Sequence, residues 1–149
     1  MTVTFRPATR DEVADVLALL QDDKLGATRE GLDLADYQTA FDSMTDEAAN
    51  HLIVGVREGR VIATYQITFI SGLSLRAARR AQIESVRVAS DLRGQGIGQQ
   101  MIADAIARAK TAGCSLIQLT MNKSRTDTAR FYESLGFTPS HIGYKRNLI

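Results

Sequence analysis

Three observations predict a mixed α/β fold for this chain. Residues Gln82-Ile83-Glu84-Ser85-Val86-Arg87-Val88 alternate and are rich in β-branched side chains, the signature of a strand. Arg93-Gly94-Gln95-Gly96-Ile97-Gly98-Gln99 follows as a glycine-rich turn. From Ile97 onward the apolar residues Met101, Ile102, Ala105, Ile106 and Ala109 recur at helical spacing. Strand, glycine turn and helix start, in that order, make an anion site. Amides without intrahelical partners point outward at the helix start, and the positive end of the dipole favours negative charge. The predicted ligand is a phosphate or pyrophosphate.

Composition narrows the class of protein. With 149 residues the chain suits one domain, spanning 1–149, with a real core. Apolar residues make up 44% and charged residues 23%, as in ordinary globular proteins, and the formal charge of +1 provides no electrostatic case for nucleic acid or a membrane surface. A lone Cys114 rules out an intramolecular disulfide framework and fits a reducing, cytoplasmic setting. Met1 to Arg6 lacks the apolar core of a signal peptide, and no run reaches transmembrane length.

The elements follow in order. Thr2 to Arg6 alternates and meets Pro7, a short strand. Thr9-Arg10-Asp11-Glu12 has the capping-box pattern, and Val13, Val16, Leu17 and Leu20 then mark the apolar face of a first helix. Asp22 to Gly26 breaks it. A second helix is expected from Asp33 to about Thr45, with Leu34, Tyr37, Phe41 and Met44 on one side. His51 to Arg57 and Arg60 to Ile70 read as strands joined by a Glu58-Gly59 hairpin. A loop through Arg76, Arg79 and Arg80 leads to the strand that begins near Ala81. The helix after the glycine turn carries Arg108 and Lys110 in its last turn and stops at Gly113. Ser115 to Met121 is a strand, Thr126 to Leu135 a helix ended by Gly136, and Phe137 to Leu148 includes a final strand. The predicted order is β-α-α-β-β-β-α-β-α-β.

Spacing separates three phosphate-binding patterns. No Lys-Ser/Thr follows the glycines, which removes a nucleotide-hydrolysing P-loop. Gly94 and Gly96 begin a dinucleotide fingerprint, but Gln99 occupies its third glycine position, and the next strand ends in Thr120-Met121 without a ribose-binding acid. Arg93, Gly96 and Gly98 satisfy Arg/Gln-x-x-Gly-x-Gly/Ala immediately before a helix. This stretch from Val86, together with Phe131-Tyr132-Glu133-Ser134-Leu135-Gly136-Phe137 downstream, resembles the GNAT superfamily of acetyl-CoA-dependent N-acetyltransferases. The likeness extends over nearly the whole chain. Asp23-Lys24-Leu25-Gly26 with Arg29-Glu30, and Gln82 to Val88, resemble a bacterial subgroup of that family.

The resemblance implies a central, mostly antiparallel sheet with a splayed strand pair, flanked by about four helices. It also implies acetyl-CoA as cosubstrate, its pantetheine arm pairing with the backbone of Val86, Arg87 and Val88 as an added strand would. The pyrophosphate would rest on the amides of Gly94, Gln95, Gly96, Ile97, Gly98 and Gln99, with Arg93 as the basic residue at the first motif position. Glu84 is the candidate base for the incoming ammonium, expected by period two on the face of Val86 and Val88, where partial burial would raise its pKa. The alternative for Glu84 is a structural carboxylate paired to Arg79 or Arg87. Tyr132 stands where family members place the acid that protonates the departing sulfur, its alternative being aromatic packing beside Phe131. A backbone N–H of Val86 or Val88 would stabilise the thioester oxyanion.

One position departs from the family pattern. Arg125 stands where many members carry an Asn seven residues before the Tyr, and Asn122 lies three positions earlier. Arg125 would reach a coenzyme A phosphate, or Asn122 would supply the amide contact. Arg29, Glu30 and Tyr37 fall in the region forming the acceptor wall in GNAT folds and are candidate amine contacts, against a solvated or locally paired role. His51 and His141 lack metal-ligand spacing, so no metal is expected. The expected activity is acetyl transfer to a primary amine on a small molecule or peptide, compatible with a homodimer. Its rivals are a non-catalytic acyl-CoA sensor and, more distantly, a dinucleotide-binding module.

Overall fold

The structure is a computed structural model and describes residues 2–22, 30–31 and 33–149. Its elements are strand β1 (Thr4–Pro7), helix α1 (Val13–Gln21), helix α2 (Leu34–Asp46), strands β2 (Asn50–Arg57), β3 (Arg60–Ser71) and β4 (Arg79–Val88), helix α3 (Ile97–Thr111), strand β5 (Leu116–Leu119) and helix α4 (Thr126–Ser134). The strands form one sheet in the order β1-β2-β3-β4-β5, antiparallel from β1 to β4, with β5 parallel to β4. Spatial order therefore equals chain order. The β4–β5 step needs a crossover, and α3 supplies it. Pro7 is tolerated inside β1 because β1 is an edge strand.

Alternation along β3 sorts the core. Thr64 and Gln66 face α1 and α2, with which they line a shared cavity. Tyr65 faces the other way, donating its hydroxyl to Asp104 Oδ2 on α3 at 2.5 Å. Asp104 also accepts from Arg108 Nε at 2.7 Å, and Arg108 Nη2 reaches the Phe5 carbonyl at 3.1 Å, so one polar chain ties β3, α3 and β1 together. Burial, and then the bond to Asp104, raise the Tyr65 phenol's pKa, so it stays protonated. Around it Ile53, Ile67, Ile83, Met101 and Ile102 are shut off from solvent. Thr64, also buried, is satisfied by the Ile53 carbonyl at 2.9 Å.

Several expectations are corrected. The final strand predicted within Phe137–Leu148 is absent, and the described order ends at α4. Beyond Phe137 no face of that segment supplies burial: Ile142, Tyr144 and Leu148 are 79%, 91% and 92% exposed. The loop before β4 contains a left-handed turn at Ser74–Ala77, with Leu75, Arg76 and Ala77 at φ of +54°, +62° and +58°. A 3-10 turn at Ser90–Leu92 precedes the glycine loop. Neither has a periodic sequence signal. Among the described residues no helix is long and apolar enough to cross a membrane.

The predicted capping box forms at a 3-10 turn, Arg10–Glu12, leading into α1. Thr9 N–H donates to Glu12 Oε1 at 2.9 Å, and Arg6 grips both carboxylate oxygens at 2.7 and 2.8 Å. The Arg6 bonds outweigh partial burial and hold the Glu12 carboxyl at about 2, below its ordinary 4.5. A depressed carboxyl stabilises the fold above its unfolded pKa, and the gain is lost as pH falls through the folded one. Glu12→Gln should therefore cost about 1 kcal/mol at neutral pH, after allowing for solvent screening. Its denaturation midpoint should also lose part of the acid dependence between pH 4.5 and about 2, as measured by urea titrations across that range.

Candidate active site

The site begins where two strands part. Pairing of β4 with β5 ends at Ile83↔Leu119, while β4 keeps its β3 partner as far as Ala63↔Val88. Residues Glu84 to Val88 thus have no partner in the β5 ladder, which makes the splay expected from the resemblance. A bulge sits at the same place. Gln66 pairs with Glu84 and Thr64 with Arg87, so Tyr65 opposes both Ser85 and Val86, and Ser85 takes a φ of +54°. Ala89 N–H donates to the Ile62 carbonyl at 2.8 Å. Antiparallel alternation then turns the backbone groups of Val88 away from β3, toward the wedge.

The bulge corrects the expected facing of Glu84. Glu84 shares the face of Gln66, whereas Val88 pairs with Ala63 on the opposite face. Val86 and Val88 pack against the buried cluster, and Glu84 is exposed. Period two fails here because one extra residue has been inserted. Of the two cations considered for Glu84, Arg79 donates to Ser71 Oγ at 2.8 Å and the Ala112 carbonyl at 3.0 Å, and lies over the Phe69 ring. Arg87 Nη1 donates to the Val86 carbonyl at 3.0 Å.

The glycines of the turn divide into two kinds. Gly94 and Gly96 have φ of +78° and +81°, and a Cβ on either would meet open space. They are glycines for backbone conformation, and the space over them is what an incoming phosphate needs. Gly98 has another cause: a Cβ there would lie 3.1 Å from Phe131 Cζ. It lets α4 close on the start of α3, so the predicted role of Gly98 in ligand approach is joined by a packing role. The first helical bond of α3 runs from Gln100 N–H to the Gly96 carbonyl, leaving the amides of Gly96, Ile97, Gly98 and Gln99 without intrahelical acceptors. No side chain caps this end. Gln95 and Gln99 are exposed around it.

A clamp that sequence reasoning missed holds this turn. Asp22, just past α1, accepts from Ser90 N–H at 3.0 Å and from Ser90 Oγ at 3.1 Å, and its carbonyl accepts from Arg93 Nη2 at 3.2 Å. Arg60, in the β2–β3 hairpin, donates to both oxygens of Asp91 at 2.9 and 3.0 Å. The Ser90 bonds lower the Asp22 pKa. No local pattern announces these pairs, because the partners lie far apart in sequence. Arg93 is thus partly committed to protein before any ligand arrives.

Tyr132 is buried among Phe131 and Phe137 in edge-on contacts, with ring centroids 5.2 and 5.6 Å away. Burial raises its pKa, and the positive charges of Arg87 and Arg125 pull weakly the other way. Its phenol is protonated at neutral pH and lies near both guanidinium groups. Asn122 turns its Oδ1 inward to accept from Ser124 N–H at 3.0 Å and Ser124 Oγ at 2.7 Å, and Arg125 takes the N-cap position of α4. Asn122 thus shapes the turn before α4 with its oxygen.

On the opposite face, a cavity of about 120 Å³ lies between α1, α2 and the sheet. Ser85 and Gln66 form part of its lining, next to Glu84 in the chain and across the ladder respectively. Tyr37 also lines it and donates its hydroxyl to Glu30 Oε2 at 2.5 Å. Two of the three predicted acceptor contacts are thereby brought together, while Arg29 lies outside the described residues.

The packing role of Gly98 can be tested directly. Gly98→Val should cost about 1–3 kcal/mol through overpacking against Phe131. Combining it with Phe131→Ala should recover part of that loss, giving a non-zero coupling energy in a denaturation double-mutant cycle.

The comparisons with known proteins bear on this geometry. The family described as "Acetyltransferase (GNAT) family" is matched over residues 14–137. An aminoalkylphosphonate N-acetyltransferase from Salmonella typhimurium is 28% identical over 144 residues, covering 97% of this chain and 90% of that protein. Among solved structures, a Bacillus halodurans C-125 protein named as a transcriptional regulator is 42% identical, with a TM-score of 0.94 and coverage of 99% of this chain and 100% of that one. A putative acetyltransferase from Agrobacterium tumefaciens str. C58 is 25% identical, with a TM-score of 0.87 and coverage of 97% and 99%. With a splayed sheet, a bare helix start beside it and a family match over most of its length, the chain belongs to the GNAT acetyltransferase family and is an acyltransferase.

Proposed function

We propose that residues 1–149 act as a single N-acetyltransferase domain that moves the acetyl group of acetyl-CoA directly to a primary amine. The observation carrying this is the wedge between β4 and β5, open beside a helix start whose amides have no intrahelical acceptors. Gly94 to Gln99 hold the pyrophosphate, and Val86 to Val88 bind the pantetheine arm along the free edge of β4. Arg93 and Arg125 add positive charge near the phosphates, and Asn122 retains its side-chain amide for the arm. Both substrates then meet in one cleft, which makes the attack effectively intramolecular.

The proton balance assigns the side chains. Glu84, directly or through a water, takes a proton from the ammonium, freeing the lone pair that forms the N–C bond. The C–S bond breaks, and Tyr132 gives its proton to the departing thiolate. The nitrogen's surplus proton is then lost and restores the phenol, so that one net proton leaves by way of Glu84. A backbone N–H of Val86 or Val88 steadies the negative charge on the carbonyl oxygen meanwhile. Support for Glu84 comes from its sharing the face of Gln66 beside the cavity, and exposure gives it access to solvent. For Tyr132 the support is a buried phenol that keeps its proton. Glu30 and Tyr37 form the polar edge of the acceptor wall, and Arg29 belongs to the same candidate set. The proposal extends to a cytoplasmic setting, supported by the lone Cys114, and to a homodimer, supported by the exposed Ile142, Tyr144 and Leu148.

A second reading, a non-catalytic acyl-CoA sensor, is favoured by the similarity to a protein named as a transcriptional regulator. The formal charge of +1 offers no general attraction to DNA. Release of coenzyme A thiol with a panel of amines separates the two: turnover supports the transferase, and acetyl-CoA binding without turnover supports the sensor.

Glu84→Gln should lower kcat by about 10²-fold or more and alter the pH–rate profile, with acetyl-CoA affinity nearly unchanged. Tyr132→Phe should lower kcat without raising the KM for acetyl-CoA. Unchanged turnover in either variant removes that residue from the mechanism. Gly96→Glu should abolish acetyl-CoA binding by calorimetry, since it sets a side chain and a like charge against the pyrophosphate.

A further inference from the structure

We infer that the acceptor is a primary amine with an apolar body, an aliphatic chain or a single ring, seated in the cavity between α1, α2 and the sheet. This rests on the transferase reading and names its substrate class. The lining is mostly hydrocarbon: Val16, Leu17 and Leu20 from α1, Phe41 and Met44 from α2, and Leu52 from β2. Leu17, Leu20, Phe41, Met44 and Leu52 are only half-buried, so the protein leaves apolar surface here that a ligand could cover. Polar groups gather at the sheet, where Gln66 and Ser85 adjoin Glu84, and at Tyr37 with its Glu30 partner. An amine entering with its nitrogen toward Ser85 would meet the base and the wedge, with its carbon body among the leucines.

Size and charge limit the body. The cavity holds about 120 Å³, comparable with the roughly 150 Å³ apolar cavities that accept benzene. No lysine, arginine or histidine lines it among the described residues. A phosphonate would need such a partner, because a buried anion without a cation or several donors is strongly disfavoured. A polyamine is disfavoured too, since its second ammonium would be set among hydrocarbon side chains. The described lining thus favours a neutral carbon body over the phosphonate in the name of the Salmonella relative.

Initial rates with methylamine, propylamine, isoamylamine, phenethylamine, putrescine and aminomethylphosphonate test this. We expect kcat/KM to rise about fourfold per added methylene up to isoamylamine, with putrescine and aminomethylphosphonate at least tenfold below it. Ala40→Phe, at an exposed position on the cavity wall, should shrink the ratio of isoamylamine to methylamine by at least tenfold. A retained melting temperature and acetyl-CoA affinity in that variant would exclude misfolding as the cause. A preference for aminomethylphosphonate or putrescine, or an unchanged ratio in Ala40→Phe, overturns the inference and leaves the transferase reading standing. The reverse case is resolved by titrating isoamylamine into protein with labelled methyls. Shifts confined to Leu17, Leu20, Met44 and Leu52, without turnover of any amine, support the cavity assignment and remove the transferase. No shifts and no turnover overturn both.

Discussion

One inserted residue governs this molecule. Ser85, in the left-handed region opposite Tyr65, breaks the alternation of β4 just after the strand loses its ladder with β5. A regular strand would have placed Glu84 with the two core valines. With the bulge, the carboxylate shares a face with the cavity, the valines pack on the other side, and their backbone stands next to a gap. A non-glycine residue in that conformation costs on the order of 1–2 kcal/mol. Burial of Tyr65 and its bonded chain through Asp104 and Arg108 hold the opposing strand in place.

Around the gap, conformation and charge converge from three sides. The glycine turn presents unpaired amides and a helix dipole. The two guanidinium groups of Arg87 and Arg125 lie near a phenol that burial keeps protonated. Across the sheet lies an apolar cavity with its polar groups at the strand side. Each of these is ordinary alone; together they set a bare helix start beside the gap and an apolar cavity across the sheet from it.

Much of this was legible in the chain itself. Periodicity located α1, α2 and α3, although the stripe of α2 is only half-buried, and alternation with β-branched side chains located β4. The glycine turn stood out because positive φ at Gly94 and Gly96 demands a residue without Cβ. Long-range facts left no local trace. Nothing near Gly98 indicates that Phe131 will press on it, and nothing near Asp22 indicates that it will hold Ser90. The tail after Gly136 read as including a strand, but local preference does not record whether an edge is there to receive it. The bulge at Ser85 was hidden too, since it shows only in the pairing, where Ser85 and Val86 both oppose Tyr65, twenty residues upstream.

The bond between Asp22 and Ser90 has a further meaning. Asp22 closes the helix whose side chains wall the cavity, and Ser90 opens the turn that leads into the donor loop. The glycine turn and the α1 wall of the cavity are thus fastened to a common joint. A change at Asp22 or Ser90 would therefore loosen the glycine turn and the α1 wall together, although each residue belongs to only one of them.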